Sequence, residues 1–246
     1  MARRRFFVDA IHADLAQLGG EDARHLSRVL RAEVGQRFEI SDNRRPYLAE
    51  VAQIGRDRVL FRLLEPLEAR PQPVEAVLYA ALVKFDRFEW IVEKATELGA
   101  AAIVPFEAGR SDKGLAQAAG KRVERWRRIA REASQQSRRD SLPEVPAPAA
   151  FDSCLADGAP CRYFLDEDPS AAPLPAALPA PESRRPGDRV ALLTGPEGGW
   201  TPPERERALA AGWKPVSLGP QVLRTETAVL AGLSVLVTAW WAAASS

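Results

Sequence analysis

Histidine and cysteine are scarce in this chain: of 246 residues, two are histidine and two are cysteine. Cys154 and Cys161 have neither a second cysteine pair nor a nearby histidine, which excludes a zinc site of the usual spacing. They read as reduced thiols of a cytoplasmic protein. His12 and His25 both precede residue 70. No Ser-His-Asp or Cys-His set therefore assembles in the remainder, and no HExxH motif or carboxylate–histidine cluster calls for a metal. Two phosphate signatures are missing as well, GxxxxGK[ST] and GxGxxG. No internal repeat is present. The opening residues, MARRRFFVDAIHADL, carry arginines but no apolar run, so they do not read as a secretory signal. One long uncharged run exists, AVLAGLSVLVTAWWAAA at residues 228–244. It sits at the lower edge for a membrane span. With Gly232, Ser234 and Thr238 inside it and no basic flank, it reads as a helix buried in a core or a subunit interface, not in a membrane.

What is present is ordinary in composition and uneven in charge. The length suits two domains. The net charge is +1, yet residues 110–140 hold ten Lys/Arg against four Asp/Glu. Such a basic block suits a nucleic-acid surface and equally a solvated helix face.

Up to about residue 70 the chain alternates apolar and polar residues in short stretches: RRFFV, RFEISD, YLAEVAQI and RVLFRLLE. These predict strands. One helix is expected among them, EDARHLSRVLRA at residues 21–32, with Ala23, Leu26, Val29 and Leu30 on one side. The region reads as a small β-barrel. Pro71 and Pro73 break the pattern, which places the boundary between domains of residues 1–72 and 73–246. Beyond it strands and helices alternate. AVLYAALV, AAIVPF, CRYFLDE, RVALLTG and KPVSLG read as strands, and RFEWIVEKATELG, GKRVERWRRIAREASQQSRR, PPERERALAAG and the terminal apolar run as helices. The Pro/Ala-rich segment 169–187 is expected to hold no regular structure well. This alternation predicts an α/β domain with a largely parallel sheet buried on both faces.

Ligands of parallel α/β sheets sit beyond the carboxyl ends of the strands. Two loops have the composition for that place: TGPEGGW, from Thr194, and LGPQVLRTE, from Leu218. Both follow apolar strands and lead into helices. Their glycines either admit a ligand close to the backbone or simply make tight turns. Glu197 would repel a phosphate, so a ligand without phosphate, bound mainly through backbone groups and apolar surface, is favoured, and a cationic one is tolerated. With no histidine at hand, the chemistry falls to Arg, Lys, Asp/Glu, Ser/Thr or Tyr. That suits a reaction whose cosubstrate is already activated, such as methyl transfer from a sulfonium.

LLTGPEGGW followed by LGPQVLRTETAVLAGL resembles the paired signature of the RsmE family, bacterial ribosomal RNA uridine-N3 methyltransferases of the SPOUT superfamily. HLSRVLR, VKFDRFEWIVEKATELGAAAIVPF, the GRS at residues 109–111 and RWRRIAREASQQSRRDSLPEV resemble further family motifs, in order, over nearly the whole chain. Phe85 departs from the small residue the family carries there. The resemblance implies a trefoil-knotted SPOUT methyltransferase domain behind a PUA-like RNA-binding β-barrel. It also implies S-adenosylmethionine as cofactor, a homodimer, and 16S rRNA of the small ribosomal subunit as substrate. By motif the cofactor-binding residues are Leu193, Thr194, Gly195, Glu197, Gly199, Leu218, Gly219, Leu223, Thr225 and Ala228. Arg224 is expected to orient the uridine or stabilise its anion. Glu226 is a candidate base, or else a helix N-terminal carboxylate. Lys84, Arg87, Arg110, Arg138 and Arg139 are candidates for RNA phosphates, extended by Arg3, Arg4, Arg5, Arg28 and Arg31. Whether Glu197 faces the ligand or braces the knot backbone stays open.

Overall fold

The computed structural model describes residues 5–70, 72–168 and 170–244. The chain divides into two compact units. The first comprises Met1–Pro71 with Arg131–Leu142, the second Gln72–Ala130 with Pro143–Ser246.

The first unit is built on β1 (Arg5–Phe7), β2 (Ala10–His12), β3 (Leu15–Gly19), a short helix α1 (Gly20–Arg24), β4 (Arg37–Ser41), β5 (Pro46–Ile54) and β6 (Arg58–Pro66). They form one sheet in the order β1-β4-β5-β6-β3-β2, antiparallel except for β1 beside β4. Only two residues separate the two edge strands, so the sheet must curl until its edges meet. Val8 N–H donates to Ser41 O on one edge (2.9 Å) and Asp9 N–H to Gln17 O on the other (2.8 Å). Alternate residues fill the interior, among them Ala16, Leu18, Ala49, Val51, Val59 and Phe61.

The expected helix over 21–32 is cut short. After α1 the chain widens into a π-helical turn over His25–Val29 and leaves the helix with Arg31 in the left-handed region, φ 50°. Ala23 and Leu26 stay buried, but the wider turn rotates Val29 outward, 66% exposed, together with Leu30.

Residues 131–142 were expected in the second domain, yet they pack with the first unit. Arg131 pairs with Asp22 at 2.6 Å, Leu142 N–H donates to Asn43 Oδ1 at 2.6 Å, and Asp140 accepts from Arg5. These partners lie 99 to 135 residues away along the chain, out of reach of any local pattern.

The second unit contains β7 (Val74–Ala81), α2 (Phe85–Glu97), β8 (Ala102–Phe106), α3 (Leu115–Ala119), the start of α4 (Val123–Ser137), α5 (Phe151–Leu155), β9 (Cys161–Leu165), β10 (Ala172–Pro173), α6 (Leu174–Ala177), β11 (Asp188–Thr194), α7 (Pro202–Ala210), β12 (Lys214–Ser217) and α8 (Thr225–Ala244). Its sheet, β10-β12-β9-β11-β7-β8, is parallel at every pairing. Period-2 alternation sends Ala76, Leu78 and Ala80 to one face, against Phe88, Ile91, Trp126, Val229 and Leu233. Val77, Tyr79 and Ala81 go to the other, with Phe106, Phe164, Trp200 and Trp213. Both faces being covered is why the central strands read as continuous apolar runs. On α8, Val229, Leu233, Leu236 and Trp240 are buried at helical spacing. Trp241 on another side is 65% exposed. α8 is the one helix, among the described residues, long and apolar enough to cross a membrane, but here it packs on β7, β11 and α2.

The Pro/Ala-rich segment corrects its expectation. It holds β10, paired with β12, then α6 and a 3-10 turn at Pro181–Ser183. Leu174 is fully buried, and Arg184 lies over the Trp240 ring, 5.5 Å from its centroid. Proline at the first turn of α6 suits a fixed φ, so proline content does not exclude short ordered elements.

Candidate cofactor site

β11, β9 and β12 are neighbours in the sheet, and the loops beyond their carboxyl ends enclose one cleft of about 810 Å³, its open side included. Each loop is tied to the next. Trp200 Nε1 donates to Leu165 O at the end of β9 (2.7 Å). Thr225 Oγ1 donates to Gly195 O (3.4 Å), joining the start of α8 to the first glycine loop. Ser217 Oγ accepts from Gly219 N–H at 3.2 Å and shapes the second.

The first loop needs its glycines. Gly199 has φ 68°, where a Cβ would stand 3.1 Å from Glu167 Oε1; a Cβ on Gly195 would stand 3.1 Å from the Trp200 ring. The loop ends in a capping box. The Thr201 side chain accepts from Glu204 N–H, and the Glu204 carboxylate accepts from Thr201 N–H at 2.9 Å. Glu204 also accepts from Gly109 N–H at 2.7 Å, which fastens the GRS segment. Burial works to raise the Glu204 carboxyl, but the hydrogen bonds from Gly109 and Thr201 outweigh it and hold it below its ordinary value.

Thr194, Gly195, Glu197, Gly199, Leu218, Gly219, Leu223, Thr225 and Ala228 all line the cleft. Leu193 does not: it is fully buried in the sheet core, because alternate strand residues point away from the site. Sequence reading missed Leu165, Asp166 and Glu167, which form the β9 wall. The signal was available in FLDE, an apolar strand ending in two carboxylates.

Arg224 is exposed between two lining residues, and its carbonyl accepts from Ala228 N–H at 2.9 Å to open α8. Glu226 follows in the first turn, with Oε2 buried and without a hydrogen-bond partner among the described residues. Arg87 pairs with Glu197 at 2.9 Å, and Arg110 donates to Gly198 O at 2.8 Å. Glu197 borders the cleft and is held by Arg87 from α2. Lys84 is exposed at the start of α2.

Among the first-unit arginines, Arg28 and Arg31 are exposed and Arg138 half-buried. Two expectations fail. Arg5 is 3% exposed, paired with Glu39 at 3.0 Å and with Asp140, and Arg139 is 5% exposed. Burial lowers the Arg139 guanidinium to about 10. Both are interior cations, not a phosphate-binding surface. Arg3 and Arg4 lie outside the described residues. No cluster of His, Cys, Asp and Glu suited to a metal exists among the described residues.

Residues 70–237 match the RNA methyltransferase domain family, and residues 18–64 the RNA methyltransferase PUA domain. Over 244 residues the chain is 32% identical to ribosomal RNA small subunit methyltransferase E of Bacillus subtilis, covering 95% of each protein. It is 32% identical to the Mycobacterium bovis protein of the same name, covering 100% of this chain and 96% of that one. Its fold matches that enzyme from Neisseria gonorrhoeae, solved bound to S-adenosyl methionine, with TM-score 0.84 at 26% identity over 97% and 98% of the two chains. A protein from Legionella pneumophila, solved with bound SAM, matches with TM-score 0.82 at 29% identity over 97% and 98%. By domain content, by identity along its whole length and by fold, this chain belongs to the ribosomal RNA small subunit methyltransferase E family.

Proposed function

We propose that this protein is an S-adenosyl methionine-dependent methyltransferase acting on N3 of one uridine in 16S rRNA of the small ribosomal subunit. The cleft beyond β9, β11 and β12 carries this reading. It is lined by backbone-rich glycine loops, apolar side chains and carboxylates, with no Lys, Arg or His in its wall among the described residues. That donor set fits a cationic, phosphate-free ligand, and structurally similar relatives were solved with S-adenosyl methionine. Bound there, the cofactor supplies a methyl group on a sulfonium, and the electron pair of the broken bond stays on sulfur. Gly195, Gly199 and Gly219 admit the ligand close to the backbone, and Leu218, Leu223 and Ala228 give it apolar wall.

Uridine N3 must lose its proton before its electron pair takes the methyl group. Arg224, exposed at the margin of the cleft, orients the base and stabilises the negative charge that develops on it. Glu226 is the candidate acceptor of the proton; its buried, unpartnered oxygen distinguishes it from a merely solvated helix-terminal carboxylate. Lys84, Arg87 and Arg110 in the second unit, and Arg28 and Arg31 in the PUA unit, take phosphates. Residues 1–72 serve as the RNA-binding domain, and residues 73–246 hold the cofactor site and the dimer interface.

The chain works as a homodimer in the cytoplasm, where small subunits are assembled, and contacts its partner through the exposed apolar side of α8. A trefoil knot is part of this reading; the return of the chain from β12, near one sheet edge, to cover the central strands β7 and β11 supports it.

The test is incubation with labelled S-adenosyl methionine and unmodified small subunits, followed by nuclease mapping and mass spectrometry. Label on N3 of a single uridine is expected. Label only on tRNA or large-subunit RNA would move the substrate. No transfer at all, with RNA binding retained, would leave a non-catalytic assembly factor.

A further inference from the structure

Three carboxylates stand in the cleft wall, and two of them are neutralised. Asp166 is paired with Arg205, and Glu197 with Arg87. Glu167, exposed at the end of β9, has no ion pair or hydrogen bond among the described residues. Its Oε1 lies 3.1 Å from the point where a Cβ on Gly199 would stand, so the carboxylate reaches from the β9 side over the glycine turn. With no cation among the described lining residues, its charge is not compensated by the cleft wall.

We propose that Glu167 is the residue that makes this cleft prefer the charged cofactor over its demethylated product, a specificity role that rests on the S-adenosyl methionine reading above. The two ligands differ by one methyl group and one positive charge, both at sulfur. Backbone hydrogen bonds and apolar contacts from the glycine loops treat them nearly alike. Only a group that senses charge separates them, and of the three carboxylates in the cleft wall Glu167 is the one without an ion pair among the described residues. Methyl transfer turns the sulfonium into a neutral thioether, so the reaction itself removes the attraction to Glu167 and favours departure of the product. The carboxylate is solvated, so the effect is modest: about threefold to fivefold in relative affinity.

The test is titration calorimetry of the wild type and Glu167→Gln with three ligands. These are S-adenosyl methionine, S-adenosyl homocysteine, and sinefungin, which carries an ammonium where the sulfonium stands. Glu167→Gln is expected to weaken both cationic ligands about threefold to fivefold and to leave the neutral product unchanged within about 1.5-fold. Retained product affinity shows that the variant site is intact. In the wild type, the preference for the cationic ligands should shrink as salt rises from about 0.05 M to about 0.5 M. Equal weakening of all three ligands, or of none, would overturn the charge-sensing role while leaving the cofactor site in place. A wild type that binds none of them would remove the cofactor reading, and this role with it.

Discussion

Glu204 and Gly109 are 95 residues apart in sequence, and the carboxylate of one accepts the backbone N–H of the other at 2.7 Å. Through this bond and the capping box on Thr201, one side chain holds the first turn of α7, the exit of the GPEGGW loop and the GRS segment together. Glu204→Gln keeps the size but turns an N–H donor toward groups that need an acceptor. It should cost about 1–3 kcal/mol at neutral pH. The folded carboxyl is held below its ordinary value of 4.5, so its contribution is present above that value and fades as pH falls through the lower folded one. Urea denaturation at pH 7 and at about pH 3 should therefore show a large difference between the proteins at the first and a smaller one at the second. An equal difference at both would contradict the assigned hydrogen bonds.

The Arg87–Glu197 pair predicts the opposite kind of result. Its side chains are 32% and 41% exposed. A double-mutant cycle with Arg87→Ala and Glu197→Gln should give a coupling of about 0.2–1 kcal/mol that shrinks with salt. A coupling above about 2 kcal/mol would mean the pair is desolvated and is a main fastening of the loop.

Much of this site was legible because its two glycine loops each follow a strand whose apolar run reports burial on both faces. Nine of ten expected cofactor residues border the cleft for that reason. The Leu193 side chain lies off the cleft, and motif membership does not encode side-chain direction within a strand. Arg5 and Arg139 failed because charge on a sequence reads as surface, whereas Glu39 and Asp140 become neighbours of Arg5 only on folding, and Arg139 is buried by the fold beside the Ser141 carbonyl. The π-helical turn at His25–Val29 has no signature in hydrophobic spacing, so Val29 was assigned to the wrong side. The ordered elements of segment 169–187 are short and held by tertiary contacts, such as Leu174 in the core and Arg184 on Trp240, which local propensity does not report.

Gly199 tests the cleft as a ligand site. Valine there would be forced to φ 68° with its Cβ about 3.1 Å from Glu167 Oε1. Left-handed backbone is costly for a β-branched residue, about 1–3 kcal/mol. Gly199→Val should lower thermal stability by a corresponding amount and weaken S-adenosyl methionine at least tenfold, about 1.4 kcal/mol. Calorimetry showing unchanged affinity would refute the placement of the cofactor in this cleft.

Arg224 separates binding from chemistry. Its backbone opens α8 through the bond to Ala228, while its side chain is exposed and makes no hydrogen bond or ion pair among the described residues. Removing that side chain therefore leaves the helix start and the cleft wall as they are. Arg224→Ala should keep cofactor affinity within about tenfold, or 1.4 kcal/mol. Turnover on small subunits should nevertheless be abolished, because the developing negative charge on the base loses its fixed cation. Arg224→Lys restores charge without the planar two-pronged donor, so it should recover only part of the rate. Single-turnover transfer of labelled methyl distinguishes the cases: recovery by lysine assigns a charge role, and no recovery assigns orientation. Near-normal transfer by Arg224→Ala would remove the residue from the mechanism.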